Sequence, residues 1–224
     1  MGRKCGLSLS VLIARMTFTA ESLQQQIPYY LTAEDRQVLV DELRAISNGG
    51  TASYFLSSFR DSFKGDMLQG DGWRGFQLFR FDTGELCSVQ ALVMSNSCDI
   101  DPGHTRDIPA RVIFAPLVKL AAYERALRAS GIDAHKVDEK LASIRAQKVT
   151  NVFFLPAGDP VTEDHVVKLD DVHSMPVAAH VGAKDRHKLF TLSNAGFYML
   201  VLKLSVHFCR LQEKVNRKGA PLTA

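Results

Sequence analysis

The chain has 224 residues, 46% of them hydrophobic and 23% charged, which is the composition of an ordinary globular protein with enough length to bury a sizeable core. Its four cysteines, Cys5, Cys87, Cys98 and Cys209, are far apart and form no C-x-x-C pair, so neither a zinc ribbon nor a disulfide framework is expected, and a reducing, cytoplasmic setting follows. The formal net charge of +3 is unevenly spread: residues 180–224 carry eight Lys/Arg against two acids, whereas the rest carries nineteen against twenty-two, a distribution that suits an anionic partner.

At the N-terminus, Arg3 and Lys4 precede the apolar stretch "CGLSLSVLIA" in the manner of a short signal peptide. No small-residue cleavage site follows, so residues 1–15 read either as an N-terminal arm or as the product of a start codon upstream of Met16. Thr32 is placed to cap a helix over "AEDRQVLVDELRAI", with Leu39, Leu43 and Ile46 as its apolar stripe and "SNGG" as its end. "SYFLSSFRDSF" suggests a second short helix, which makes residues 1–63 a helical lead-in.

The pattern then changes to strands. Runs rich in Val, Phe, Ile and Leu stand at 76–81, 85–95, 111–118, 151–157 and 165–172, and Asp82-Thr83-Gly84 has the residues of a hairpin turn between the first two. Short strands at hairpin-like spacing favour a small barrel or strongly bent sheet over a parallel βαβ fold. "LVKLAAYERALRAS" and "DAHKVDEKLASIRAQK" have helical spacing and form an inserted helical pair at 119–147. After Ser193, a potential N-cap, Phe197, Val201, Leu204, Phe208, Leu211 and Val215 follow one face of a long helix. Lys203, His207, Arg210, Lys214 and Arg217 follow the other, so residues 177–224 read as a basic amphipathic helix packed on the same domain. Its apolar run is too short and too interrupted to span a membrane.

"KGDML" (64–68), "ALVMSN" (91–96), "VIFAPL" (112–117), "FFLPA" (153–157) and "VVKLDDVHSM" (166–175) occur in an order that resembles the MazF/PemK/Kid toxins. The resemblance covers residues 64–176. It implies an α+β fold built on a small Src-homology-3-like β-barrel, in which "KGDML" opens the first strand. It also implies a homodimer, inhibited by an antitoxin-like protein, that cuts single-stranded RNA without metal or other cofactor. The family's catalytic Arg corresponds in position to Val89, its catalytic Thr or Ser to Val118, and the Arg of its "LDQVR" segment to His173. The activity therefore does not follow from the resemblance. The expected function is a divergent toxin or defence-associated protein that binds, and in the enzymatic version cleaves, RNA. The alternative is an inactive barrel serving as a protein-interaction or nucleic-acid-binding module.

The residues that can carry chemistry concentrate in "VMSNSCDIDPGH" (93–104), the loop that the resemblance places beside the RNA site. Three readings are open. Cys98 is a thiolate nucleophile with His104 as its base. Alternatively, Asp99 or Asp101 works with His104 as an acid–base pair on the RNA 2′-hydroxyl. In the third, Asn96 and Asp99 simply cap the turn and Cys98 is packing. His173 is either a site residue after the last barrel strand or a half-buried structural histidine. The spacing of His165, His173, His180 and His187 matches no metal site. For nucleic acid, Trp73 with Arg74 is placed to stack a base, and Lys203, Arg210, Lys214 and Arg217 to contact phosphates; the plain reading of each is packing or a solvated face.

Overall fold

Strands whose side chains are buried on both faces read as continuous apolar runs, and the centre of this protein is built from such strands. In the computed structural model the described residues are 54–57, 62–101, 103–104 and 106–208, together with the helical residues Gln37, Leu39, Val40, Asp41 and Arg44. Among them, seven strands pair into one antiparallel sheet: β1 Gly72–Arg80, β2 Glu85–Val93, β3 Arg111–Lys119, β4 Val152–Leu155, β5 His165–Lys168, β6 His173–Pro176 and β7 His187–Phe190. The order is β4-β5-β3-β2-β1-β7, and β6 lies beside β5 along the same edge of β3. The expected α+β class holds. The pairing does not close into a barrel, because β4 and β7 end the sheet without meeting.

The helices are α1 Ser97–Ile100, α2 Leu120–Ala129, α3 Ala134–Arg145, α4 Val177–Val181 and α5 Asn194–Phe208. α2 and α3 are the expected inserted pair, and Asp133 caps α3 by accepting from the amides of His135 and Lys136. Alternation along the strands divides the core. Leu92, Ala115, Phe153 and Val167 point to the side covered by α5, whereas Ala91, Val93, Val112 and Phe114 point to a second cluster with Trp73, Phe76, Ile100 and Met175. A third cluster joins α2 and α3 to Phe154 and Val166 on the far face of β4 and β5.

Trp73 and Phe76 are three residues apart yet share the second cluster. Strict alternation forbids this, and a β-bulge permits it: Trp73 pairs with Ala91 and Phe76 with Val89, leaving two residues opposite Gln90. Gly75 takes φ +92° there, and a Cβ would stand 3.1 Å from the backbone of Arg186. Gly84, at φ 72°, closes the expected β1–β2 hairpin.

Several expectations are corrected. "KGDML" opens no strand; residues 62–65 form a turn and β1 begins at Gly72. Of the run 165–172 only His165–Lys168 is strand, as β5, and β6 follows separately at His173–Pro176. Residues 54–57 are not helical: Phe55 bridges Leu192 and the Leu56 amide donates to the Thr191 carbonyl. The Thr32 cap, Leu43, Ile46 and residues 1–15 lie outside the described residues.

The face of α5 differs most. Its buried residues are Ala195, Gly196, Met199, Leu200, Leu202 and Lys203, whereas Phe208 is 61% exposed. The helix is rotated because Gly196 sits against the Tyr54 carbonyl, where a Cβ would come within 2.3 Å of the oxygen. Lys203 is 3% exposed, and its ammonium donates to the carbonyls of Gln147 and Val149 at the end of α3. Burial lowers its pKa to about 8. Met199→Ala is therefore expected to destabilise by about 2–5 kcal/mol and Phe208→Ala by less than about 1 kcal/mol in denaturant titrations. Equal losses for the two would mean that α5 packs through its other face.

Candidate functional site

The loop after β2 is held from within. The Asn96 side chain accepts from the Cys98 amide at 3.0 Å and Asp101 Oδ1 from the Gly103 amide at 2.8 Å. Arg106 donates to the carbonyls of Cys98 and Asp101, each at 2.7 Å. Ile100, fully buried in the second cluster, anchors α1 to the sheet, and Ser97 Oγ accepts from the Gln69 amide at 3.0 Å. Of the turn-capping reading, Asn96 caps as expected, Asp101 caps where Asp99 was expected, and Cys98 is exposed rather than packed.

α1, the segment 63–68 and the α4–β7 turn enclose a cleft of about 410 Å³. Ser97, Cys98 and Asp101 line it from α1 and its C-cap, and Phe63, Gly65, Asp66, Met67 and Leu68 from the segment. Val181 and Arg186 complete the wall. The "KGDML" motif and the polar loop, about thirty residues apart in sequence, therefore face one space.

The third wall rests on a buried ion pair. Asp71 Oδ2 lies 2.8 Å from Lys188 Nζ, with both side chains almost wholly buried, and it also accepts from the Leu68 amide at 2.8 Å. Lys188 Nζ donates further to the carbonyls of Phe63 at 2.7 Å and Asp66 at 3.0 Å. These bonds fix the segment 63–68 to β1 and β7. Burial raises the Asp71 carboxyl to about 6, against the opposing pull of Lys188. Beside the pair, the Trp73 ring carries the Arg186 guanidinium 4.3 Å from its centroid. His180, fully buried, approaches the Arg74 carbonyl through Nε2 at 3.0 Å and stacks on Phe76. Desolvation lowers its pKa, so the ring is neutral at pH 7.

The sequence-derived site residues fall into distinct places. Cys98 and Asp101 line the cleft, while Asp99 is exposed outside it. His104 Nε2 is 3.7 Å from Asp101 Oδ2, and its Nδ1 is 3.3 Å from the Cys98 carbonyl. No hydrogen bond joins His104 to the Cys98 thiol, so the thiolate–imidazole arrangement is not formed. His173 is half-buried, its Nε2 2.8 Å from Asp171 Oδ1 and its ring stacked on Phe114. Trp73, at 2% exposure, is a core residue and presents no face for a base; Arg74 beside it is exposed. Lys203 is buried and contacts no external phosphate. Arg210, Lys214 and Arg217 lie outside the described residues. Among the described residues no group of three His, Cys, Asp or Glu side chains is arranged to hold a metal ion.

Sequence reasoning missed Asp71, Lys188 and Arg186. Asp71 stands in "GDGW", which reads as a turn, and the lysine that pairs with it is more than a hundred residues away. No protein-family model matches the chain, and no curated protein is detectably similar to it.

The Asp71 carboxyl binds its proton more tightly in the folded chain (about 6) than at its ordinary value of 3.8. Its contribution to stability is therefore fully present below about pH 4 and is lost as the pH rises through about 6. Asp71→Asn should lack this part of the pH dependence in urea titrations between pH 4 and 7. A stability profile in that range identical in slope to the parent would place the carboxyl's titration elsewhere. Asp71→Ala, which leaves the Lys188 ammonium buried without its counter-ion, should cost about 3–5 kcal/mol.

Proposed function

We propose that the protein is a divergent MazF/PemK-like toxin or defence-associated protein that binds single-stranded RNA in the cleft between α1 and the segment 63–68. The observation that carries this reading is the meeting of the two motifs: Gly65-Asp66 lines one wall, and Ser97, Cys98 and Asp101 line the other. The resemblance associates that loop with RNA. The bent sheet supports it in outline, since β1, β2, β3 and β6 wrap one cluster as an opened relative of the Src-homology-3-like barrel would. The setting we propose is a reducing cytoplasm; Cys87 and Cys98 are free, and no helix among the described residues is long and apolar enough to cross a membrane.

Asp101 and His104 are the pair suited to acid–base work on a 2′-hydroxyl. With Nδ1–H donated to the Cys98 carbonyl, Nε2 carries a proton only in the imidazolium, the form that pairs with the Asp101 carboxylate. The two groups supply an acceptor and a donor within one loop turn.

A second reading rests on the exposed β1–β2 ribbon. Phe79, Phe81 and Leu86 are exposed at its tip, and the two phenyl rings meet edge to face at 5.0 Å. An inactive barrel using this tip to hold a protein partner, an antitoxin-like chain or a second copy, is the alternative.

Fluorescence anisotropy with labelled single-stranded RNA should show binding that weakens with salt. Cleavage of that RNA without divalent metal should fall about a hundredfold in Asp101→Asn and in His104→Ala. Failure of every RNA tested to bind, together with capture of a defined protein that Phe81→Ser abolishes, would establish the interaction-module reading instead.

A further inference from the structure

Resting on the RNA reading, we infer that the cleft accepts an unstacked guanine base and makes the protein guanine-selective. At about 410 Å³ the cleft is at the small end of ligand pockets, which run from about 300 to 1,000 Å³. That volume suits one nucleoside rather than a duplex. Its lining combines apolar side chains, among them Phe63 and Val181, which are substantially exposed, with a few polar groups. An aromatic base buries its faces against such a surface.

The polar groups select the base. Arg186 is held over Trp73, is only partly exposed, and makes no ion pair or side-chain hydrogen bond among the described residues; its buried Nε has no partner. A guanidinium fixed in this way offers a planar fork of donors to two adjacent acceptors. Asp66 and Asp101 line the same cleft, and the Asp66 carboxylate has no bond among the described residues. Carboxylates accept hydrogen bonds and repel phosphate, so the ligand group beside them is a hydrogen-bond donor, with the phosphates at the rim.

One base satisfies both demands. Guanine presents O6 and N7 as adjacent acceptors, the pair that a guanidinium binds in bidentate fashion. Its N1–H and N2–H form an adjacent donor pair that a carboxylate accepts. Adenine and cytosine each carry a single exocyclic amino donor, and uracil has one ring N–H between two carbonyls. We assign Arg186 to O6/N7 and Asp66 to N1–H and N2–H.

The test uses the full chain and labelled oligouridine of eight residues in which one central position is guanosine, adenosine, cytidine or uridine. Anisotropy should show the guanosine form bound about tenfold or more tightly than the others, since a bidentate base contact discriminates by about that factor. Arg186→Lys keeps a cation over Trp73 and loses the fork; Asp66→Asn keeps shape and loses one acceptor. Both should bind the four RNAs alike, at the affinity the parent shows for oligouridine, with thermal unfolding unchanged. Equal affinity of the parent for all four RNAs would overturn the inference while leaving RNA binding intact. So would a guanosine preference retained in both variants. No binding to any of the four would instead remove the RNA reading on which the inference rests.

Discussion

The buried pair of Asp71 and Lys188 is the constraint on which the candidate site depends. Taking two charges out of water costs several kcal/mol per ion, and the pair recovers that cost only through additional hydrogen bonds. Here the bonds come from one place. The Lys188 ammonium binds two carbonyls of the segment 63–68, and the Asp71 carboxylate binds one of its amides. A segment without regular secondary structure is thereby held against β1 and β7 through two of its carbonyls and one of its amides. An apolar substitute of the same volume would fill the space, yet it would leave those carbonyls unpaired. The cleft is shaped by a polar core device.

The sheet supplies the frame. Ala91–Val93 of β2 and Phe114–Ala115 of β3 are buried on both faces, so there the side chains alternate between two clusters instead of between core and water. The bulge at Gly75 turns Trp73 inward, and the indole becomes the platform for Arg186. The loop 95–104 rises from the end of β2 and is satisfied by its own side chains and by Arg106. Internal satisfaction of this loop leaves part of it open to the cleft. Bonds to backbone groups hold Asp101 and Ser97 in place, while part of each residue still faces the cleft.

What was legible in the sequence was local. The continuous run "ALVM" marks a strand because two-sided burial demands apolar residues at consecutive positions, whereas "VIFA" is apolar throughout although Ile113 is exposed. The Gly84 hairpin and the turn-capping Asn96 were readable because each is set by residues only a few positions apart. The orientation of α5 was not legible. An amphipathic pattern assumes one wet face, but this helix lies against the sheet, against Tyr54 and against the end of α3. Lys203 accordingly sits on a buried side, with carbonyls as partners. Trp73 with Arg74 was read either as a base-stacking pair or as packing, and the bulge, which no local signal announces, is what turns Trp73 inward. The cleft was half legible: its loop wall was identified from its density of polar groups. Arg186 and Lys188 owe their roles to pairings across more than a hundred residues that no spacing rule encodes.

Nuclear magnetic resonance mapping of the binding surface tests the central claim, that this cleft is the RNA site, most directly. The isotope-labelled full chain would be titrated with a short single-stranded RNA. The account predicts that amide shifts concentrate at Gly65, Asp66, Ser97, Cys98, Asp101 and Arg186, with the β1–β2 ribbon around Phe81 unmoved. Shifts confined to the ribbon, or spread over the surface with the cleft silent, would contradict it.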